Sequence, residues 1–307
     1  MANNCLLIIV YFGVFNEVLK KSLDTLTDNN VDVFLFTDKP VLLEEKENLW
    51  NHQISRSELE SLTLKTLNIS QEFNDYYKLC DFKIFYYSIL KQYIQKQYDY
   101  IGFCDLDVVF GNLDYFLNKP ITEKANVVGS RGHLMLFETQ YYKKITSDLL
   151  KLNSIKRLLE SNENYALDEF EFLHIYLEKE KSKKNIIWNQ DISLKAVDLN
   201  YFTENYICVN RKLVLTSYLK KNLNIEVIFE NSQTEYIPYI HFQKRKINDK
   251  FFKENETVKI TKQSKIKNFK RFISISIQRI KTKLTTEPII KKKLLSKLFR
   301  NEIENSL

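Results

Sequence analysis

The chain has 307 residues, 44% of them hydrophobic and 13% aromatic, with 18 Tyr and 21 Phe; this is ample core material and excludes disorder over the main body. The five glycines (Gly13, Gly102, Gly111, Gly129, Gly132) build neither GxGxxG nor GxxxxGK followed by Ser or Thr, so a dinucleotide fingerprint and a P-loop are both absent. Charge is unevenly placed: residues 251–307 hold 15 basic and 5 acidic side chains, a net of +10, while residues 1–250 carry −3 of the overall +7.

In chain order, CLLIIVYF at 5–12 reads as a fully buried strand, too short to span a bilayer and without the basic flank of a signal peptide. A helix follows at about 15–28, then a strand over VDVFLFTD at 31–38. Strand, helix, strand predicts a parallel sheet with right-handed crossovers. A helix is expected over 57–67 with Ser57 and Glu60 as its capping box, and a longer one over LCDFKIFYYSILKQYIQK at 79–96. YDYIGFCDLDVVFG at 98–111 reads as a buried strand ending in charge. Short strands near 126–129 and 133–137, helices near 139–160 and 167–182, and several short strands between 185 and 242 complete the body. Cys5, Cys80, Cys104 and Cys208 make no CxxC pair, which predicts a reducing compartment and no disulfide framework. The composition shift near 250 predicts a catalytic domain at 1–250 and a basic appendix at 251–307.

Asp105-Leu106-Asp107 is the most informative triplet. In an extended chain residues i and i+2 face the same way, roughly 6–7 Å apart, while Leu106 turns to the core. Two carboxylates at the carboxyl end of a parallel strand sit where α/β sheets bind ligands. Holding two anions together calls for a cation or a shared proton, and a divalent metal with oxygen ligands supplies one.

A helix carrying an Asp and basic residues, followed by hydrophobic-x-Asp-x-Asp-hydrophobic, resembles the nucleotide-sugar glycosyltransferases of the GT-A fold. KLCDFKIFYYSIL with YDYIGFCDLDVVFGNL is similar to a group of bacterial polysaccharide glycosyltransferases. The IIVYFG, FLFTD, GHLMLF and YIHFQKR segments stand in the same order over about 6–246. The resemblance implies an α/β fold with a Rossmann-type mixed sheet flanked by helices, to which this chain adds a basic helical tail. It implies a metal-dependent hexosyl transfer from a nucleotide sugar, UDP-sugar foremost, to a glycan or lipid-linked acceptor in surface polysaccharide synthesis. Mn²⁺ or Mg²⁺ would neutralise the departing diphosphate.

By the same resemblance Asp107 ligates the metal, Asp105 shares it or contacts the ribose, and His241 on a late strand is the third ligand. Lys244 and Arg245 would grip the diphosphate. Tyr11, Phe12 and Gly13 end the first strand and Thr37 and Asp38 the second, where base and ribose would lie. Lys78, Asp81 and Lys83 would orient the nucleotide or sugar. In the Arg131-Gly132-His133 segment, His133 would bond a hydroxyl. An inverting reaction would need a carboxylate base, for which Asp168 or Glu169 is the first candidate and Asp191 a weaker one; retention or inversion stays open.

In the tail, Ile266, Phe269, Ile273, Ile277, Ile280 and Leu284 recur at three- and four-residue steps among Lys and Arg. A basic amphipathic helix of this kind suits an anionic membrane surface, and IIKKKLLSKLF at 289–299 repeats the character. No nucleic-acid-binding module accompanies the charge. The expected location is cytoplasmic, with peripheral attachment to the inner face of the plasma membrane. Two alternatives stand beside the transferase. One is a haloacid-dehalogenase-like phosphohydrolase, whose DxDx motif would however sit on the first strand and which needs a later Gly-Asp or Asp-Asp pair, absent here. The other is a non-enzymatic membrane-associated basic protein.

Overall fold

Cys5–Tyr11 forms the first strand, β1, buried over its first five residues; a continuous apolar run of this kind belongs to a parallel strand covered on both faces. The coordinates are a computed structural model and describe residues 4–168, 172–199, 206–243, 247–260 and 287–306. After β1 comes α1 (Glu17–Thr27), capped by Asn16, whose side chain accepts from the Leu19 amide. The strands β2 (Asp32–Thr37) and β3 (Leu49–Gln53) precede α2 (Arg56–Leu67). The cap of α2 is Ser55, accepting from the Glu58 amide, two residues before the predicted box. Glu60 instead accepts from the Phe73 amide.

The long helix predicted over 79–96 is replaced by a 3₁₀ segment at Tyr76–Phe85, a single α turn, α3 (Tyr86–Leu90), and a short 3₁₀ piece at Lys91–Tyr93. Lys78 and Asp81, three apart, pair inside the protein. Three residues per turn stacks i over i+3, so the tighter helix suits that pair. The predicted strand at 98–111 is two strands, β4 (Tyr100–Cys104) and β5 (Val108–Phe110), broken at the Asp-Leu-Asp triplet.

The chain continues through α4 (Leu113–Thr122), β6 (Val127–Arg131), β7 (Leu134–Glu138), α5 (Thr139–Lys151) and α6 (Asn153–Glu160). Buried, extended Leu152 divides α5 from α6, where one helix is predicted. Next are α7 (Leu173–Ser182), β8 (Trp188–Asn189), α8 (Asp191–Lys195), β9 (Val197–Asp198), β10 (Ile207–Cys208), β11 (Leu213–Lys221) and β12 (Asn224–Phe229). Last are β13 (Thr234–Ile237), β14 (Tyr239–His241), β15 (Thr257–Lys259) and α9 (Glu287–Ser306).

The main sheet has seven strands in the order β3-β2-β1-β4-β7-β6-β8. Strands β1 to β4 run parallel, and β7 is antiparallel to both β4 and β6. At Gly102 a Cβ would lie 1.8 Å from the Met135 carbonyl oxygen, so only glycine permits the approach of β4 to β7. A three-stranded sheet, β5-β14-β9, and a five-stranded one built from β10 to β13 with β15 on β11 complete the α/β architecture. Helices and apolar clusters cover both faces of the main sheet.

The composition shift near residue 250 is not a break in packing. Phe251, Val258 and Ile260 are buried in the core under the five-stranded sheet. Phe299 and Ile303 of α9 are buried in the core of the main sheet, with the Phe299 ring against Phe172. The Ser154 hydroxyl donates to Glu302 at 2.6 Å. The end of α9 is therefore part of the body, and of the predicted basic tail the stretch 262–284 lies outside the described residues. Among the described residues no helix is long and apolar enough to cross a membrane, and the four cysteines are unpaired thiols.

Candidate functional site

The Asp-Leu-Asp triplet bridges two sheets. The Asp105 amide, just beyond β4, donates to the His133 carbonyl at 3.1 Å, and the Phe242 amide donates to the Asp107 carbonyl at 2.9 Å. Both ends of the triplet are thereby fixed. Leu106 is buried, while the Asp105 and Asp107 side chains keep 26% and 33% exposure. β1 lies between β2 and β4, so the chain order reverses at the β1/β4 pair. Crevices outside the carboxyl ends of strands at such a reversal are where open α/β sheets bind ligands.

His241 comes from β14, whose antiparallel register sets it opposite Val108, next to Asp107. Ligand atoms of Asp105, Asp107 and His241 all lie within 4.8 Å of one another, and His241 Nε2 is 3.4 Å from Asp107 Oδ1. Cis ligands around a small octahedral cation stand about 3 Å apart, given metal–oxygen bonds near 2.1 Å. The separations here are somewhat wider than that, and two carboxylates and an imidazole within this reach could close on one divalent cation.

Lys83, from the 3₁₀ segment, closes the other side. Its Nζ donates to Asp105 Oδ1 at 2.6 Å, to Asp168 Oδ2 at 2.8 Å and to the Gly132 carbonyl at 3.3 Å. Burial would lower the Lys83 pKa, but the two carboxylates outweigh it and hold the ammonium charged well above its ordinary range. Burial pushes Asp105 up, with Asp107 adding to the rise against the pull of Lys83. Gly132 makes the triangle possible: a Cβ there would lie 2.0 Å from Asp168 Oδ2.

The His133 and His241 rings stack with centroids 3.6 Å apart. Burial, then the charge on His241, drives the His133 pKa well below 6.5, and its buried Nδ1 has no hydrogen-bond partner among the described residues. Burial alone would also lower His241, but Asp107, Asp198 and Asp105 raise it to about 10. The two imidazoles therefore pull metal-free stability in opposite directions. Below about 6.5 the unfolded chain protonates at His133 and the fold does not, so stability falls as pH falls. The contribution of His241 is complete below 6.5 and is lost as pH rises towards about 10. Each slope is limited to about 1.4 kcal/mol per pH unit. The urea midpoint of His241→Gln should lack the alkaline decline and keep the acidic one; an unchanged alkaline limb would contradict the assignment.

The other sequence-predicted residues divide as follows. The ends of β1 and β2 meet, because the Gly13 amide donates to Asp38 Oδ1 at 2.8 Å, and Gly13, at φ +129°, takes a backbone conformation that favours glycine. The Thr37 hydroxyl donates to the Lys39 carbonyl and Phe12 packs edge-on against Tyr76, so Tyr11, its hydroxyl turned to the Val14 carbonyl, Gly13 and Asp38 form the strand-end rim. Lys78 and Asp81 are both buried. Lys78 donates to Asp81 and to the carbonyls of Leu158 and Glu163, and Asp81 accepts from the Tyr165 and Leu167 amides. Neither faces a crevice; together they staple the loop that delivers Asp168. Asp168 sits in the site as the partner of Lys83. Asp191, on α8, instead lines a shallow surface depression with Asn112, Asp114 and Lys119, which includes no member of the cluster. Glu169, Lys244 and Arg245 lie outside the described residues.

Sequence reasoning missed Asp198. It ends β9, beside His241 in the parallel β9/β14 register, and accepts from His241 Nδ1 at 2.9 Å, Gln243 Nε2 at 2.8 Å and Arg131 at 2.5 Å. Its only sequence signal is one acidic residue inside the apolar run AVDL.

Fold and cluster define an α/β protein with an acid–imidazole cluster, able to hold a cation, at the carboxyl ends of its parallel strands. The chain belongs to the family of unknown function DUF6625, whose model matches residues 7–269. No curated protein sequence matches it significantly. Among solved structures it is similar to mouse xyloside xylosyltransferase 1 in its apo form, at 10% identity and a TM-score of 0.44 over 78% of this chain and 97% of that one. It is also similar to the galactosyltransferase LgtC in complex with donor and acceptor sugar analogues, at 8% identity and a TM-score of 0.34 over 78% and 87%. A third likeness is to the glycosyltransferase GlyE of Streptococcus pneumoniae, at 11% identity and a TM-score of 0.32, over 53% of this chain and 40% of that one.

Proposed function

We propose that the protein is a metal-dependent glycosyltransferase that moves a sugar from a nucleoside diphosphate sugar, UDP-sugar foremost, to a glycan or lipid-linked acceptor in bacterial surface polysaccharide synthesis. The observation that carries this reading is the meeting of Asp105, Asp107 and His241, from two sheets, at the strand-order reversal. These three side chains would hold Mn²⁺ or Mg²⁺, which when bound supplies Lewis-acid neutralisation of the leaving diphosphate.

The chain's own groups divide the remaining work. Lys83 fixes one oxygen of Asp105 and leaves the other for the cation. The rim at Gly13 and Asp38, where β1 and β2 end together, is the proposed seat of base and ribose. Asp168 already accepts from Lys83, which favours positioning of the donor sugar over proton abstraction and leaves Glu169 as the proposed base for an inverting reaction. Attachment to an anionic membrane through residues 262–284 is part of the proposal, on the strength of their amphipathic, wholly basic charge pattern.

Titration calorimetry with a panel of nucleotide sugars, each with and without Mn²⁺, tests the reading. Saturable heat is expected for a UDP-sugar with metal present and none once the metal is chelated. A flat response across the panel would remove the transferase assignment.

A further inference from the structure

We infer that Asp198 is a positioning residue that fixes the ring of His241, so that Nε2 and not Nδ1 is the atom offered to the cation; this rests on the proposed Asp105–Asp107–His241 site. A second group of potential ligands, His133, Asp198 and His241, is also within reach of one ion, and the contacts of Asp198 decide between coordinating and orienting. Its Oδ1 accepts from both His241 Nδ1 and Gln243 Nε2, and its Oδ2 from Arg131. Both oxygens are engaged, and an arginine stands where a cation would need room. With Arg131 and Gln243 donating to its two oxygens, Asp198 accepts from the third neighbour too, so the His241 nitrogen facing it is the one that bears hydrogen. Nε2 is then left pointing at Asp107.

The backbone enforces the arrangement. The Leu199 amide donates to the His241 carbonyl at 3.0 Å, which locks β9 alongside β14 and sets Asp198 beside the ring. Gln243 takes φ +45°, uncommon for a residue with a Cβ, and from there its amide returns to Asp198. Carboxylates that hold the far nitrogen of a metal-binding histidine typically govern 10–100-fold of metal affinity.

The test is Mn²⁺ binding to the full chain, measured by electron paramagnetic resonance with the metal alone, in a double-mutant cycle. Asp198→Asn should weaken binding 10–100-fold, and should weaken it no further once His241→Ala is present. Equal affinity in Asp198→Asn and wild type overturns the inference. So does the same loss in both backgrounds, which would mark a general structural effect. If Asp198→Asn does not fold, Gln243→Ala carries the measurement: a several-fold loss confined to the His241 background supports the role, and no loss overturns it. Failure of the wild type itself to bind Mn²⁺ overturns the cation site, and this inference with it. Normal wild-type binding with an unaffected Asp198→Asn overturns the positioning role alone.

Discussion

Asp107→Ala should lower glycosyl transfer by about 10³-fold or more while the protein stays folded. The estimate follows from the several kcal/mol that a bound divalent ion contributes to the transition state, at 1.36 kcal/mol per tenfold in rate. Asp107 is a third exposed, its carboxylate facing His241 Nε2 and its carbonyl accepting from the Phe242 amide, so truncating it removes a ligand and the charge beside His241 without opening the apolar core. Asp105→Ala gives a deliberate contrast. It would strip Lys83 of its 2.6 Å partner and leave a buried ammonium on Asp168 and one carbonyl, so stability should fall together with activity. Turnover assays on both variants beside their thermal melts separate the roles. Asp107→Ala retaining more than a tenth of wild-type turnover in Mn²⁺ would sink the proposed site.

The parts of this protein that were legible in its sequence share one property: their signal is local. β1 declares itself through seven residues that are nearly all apolar, and β2 does the same. The acidic triplet stands out because charge ends an apolar run. His241 drew attention only through its likeness to a known group of enzymes, since one histidine in a strand has many uses. What stayed hidden depends on partners far along the chain. Asp198 meets His241 across 43 positions, and nothing around AVDL reports that meeting. Lys78 and Asp81 were linked to the ligand through the same likeness, and their burial shows only in partners more than 75 residues on. In α9 the lysines advertised a solvated or membrane-facing helix, yet Phe299 and Ile303, four apart, dock its end into the core. β3 was missed because LWNHQ, an edge strand, alternates polarity too briefly to register.

Asp81→Ala should destabilise the fold by about 3–5 kcal/mol, the usual result of leaving one member of a buried ion pair without its partner. For a chain of this size that is on the order of 10 °C in melting temperature. Burial pushes the Asp81 carboxyl up and the Lys78 amine down, so the pair depends on its surroundings: two backbone amides on the acid and two carbonyls on the base. The joint replacement Lys78→Met with Asp81→Leu removes both charges and should recover part of the loss. It cannot recover all of it, because the Tyr165 and Leu167 amides stay without acceptors and an orphaned buried donor costs about 1–3 kcal/mol. Since Leu167 precedes Asp168, loosening this loop should also detach Asp168 from Lys83. Hydrogen exchange at the Tyr165 and Leu167 amides should therefore accelerate in Asp81→Ala before global unfolding, and kcat should fall in the same variant. A melting temperature within 1 °C of wild type, with these two amides still protected, would show that the staple holds nothing.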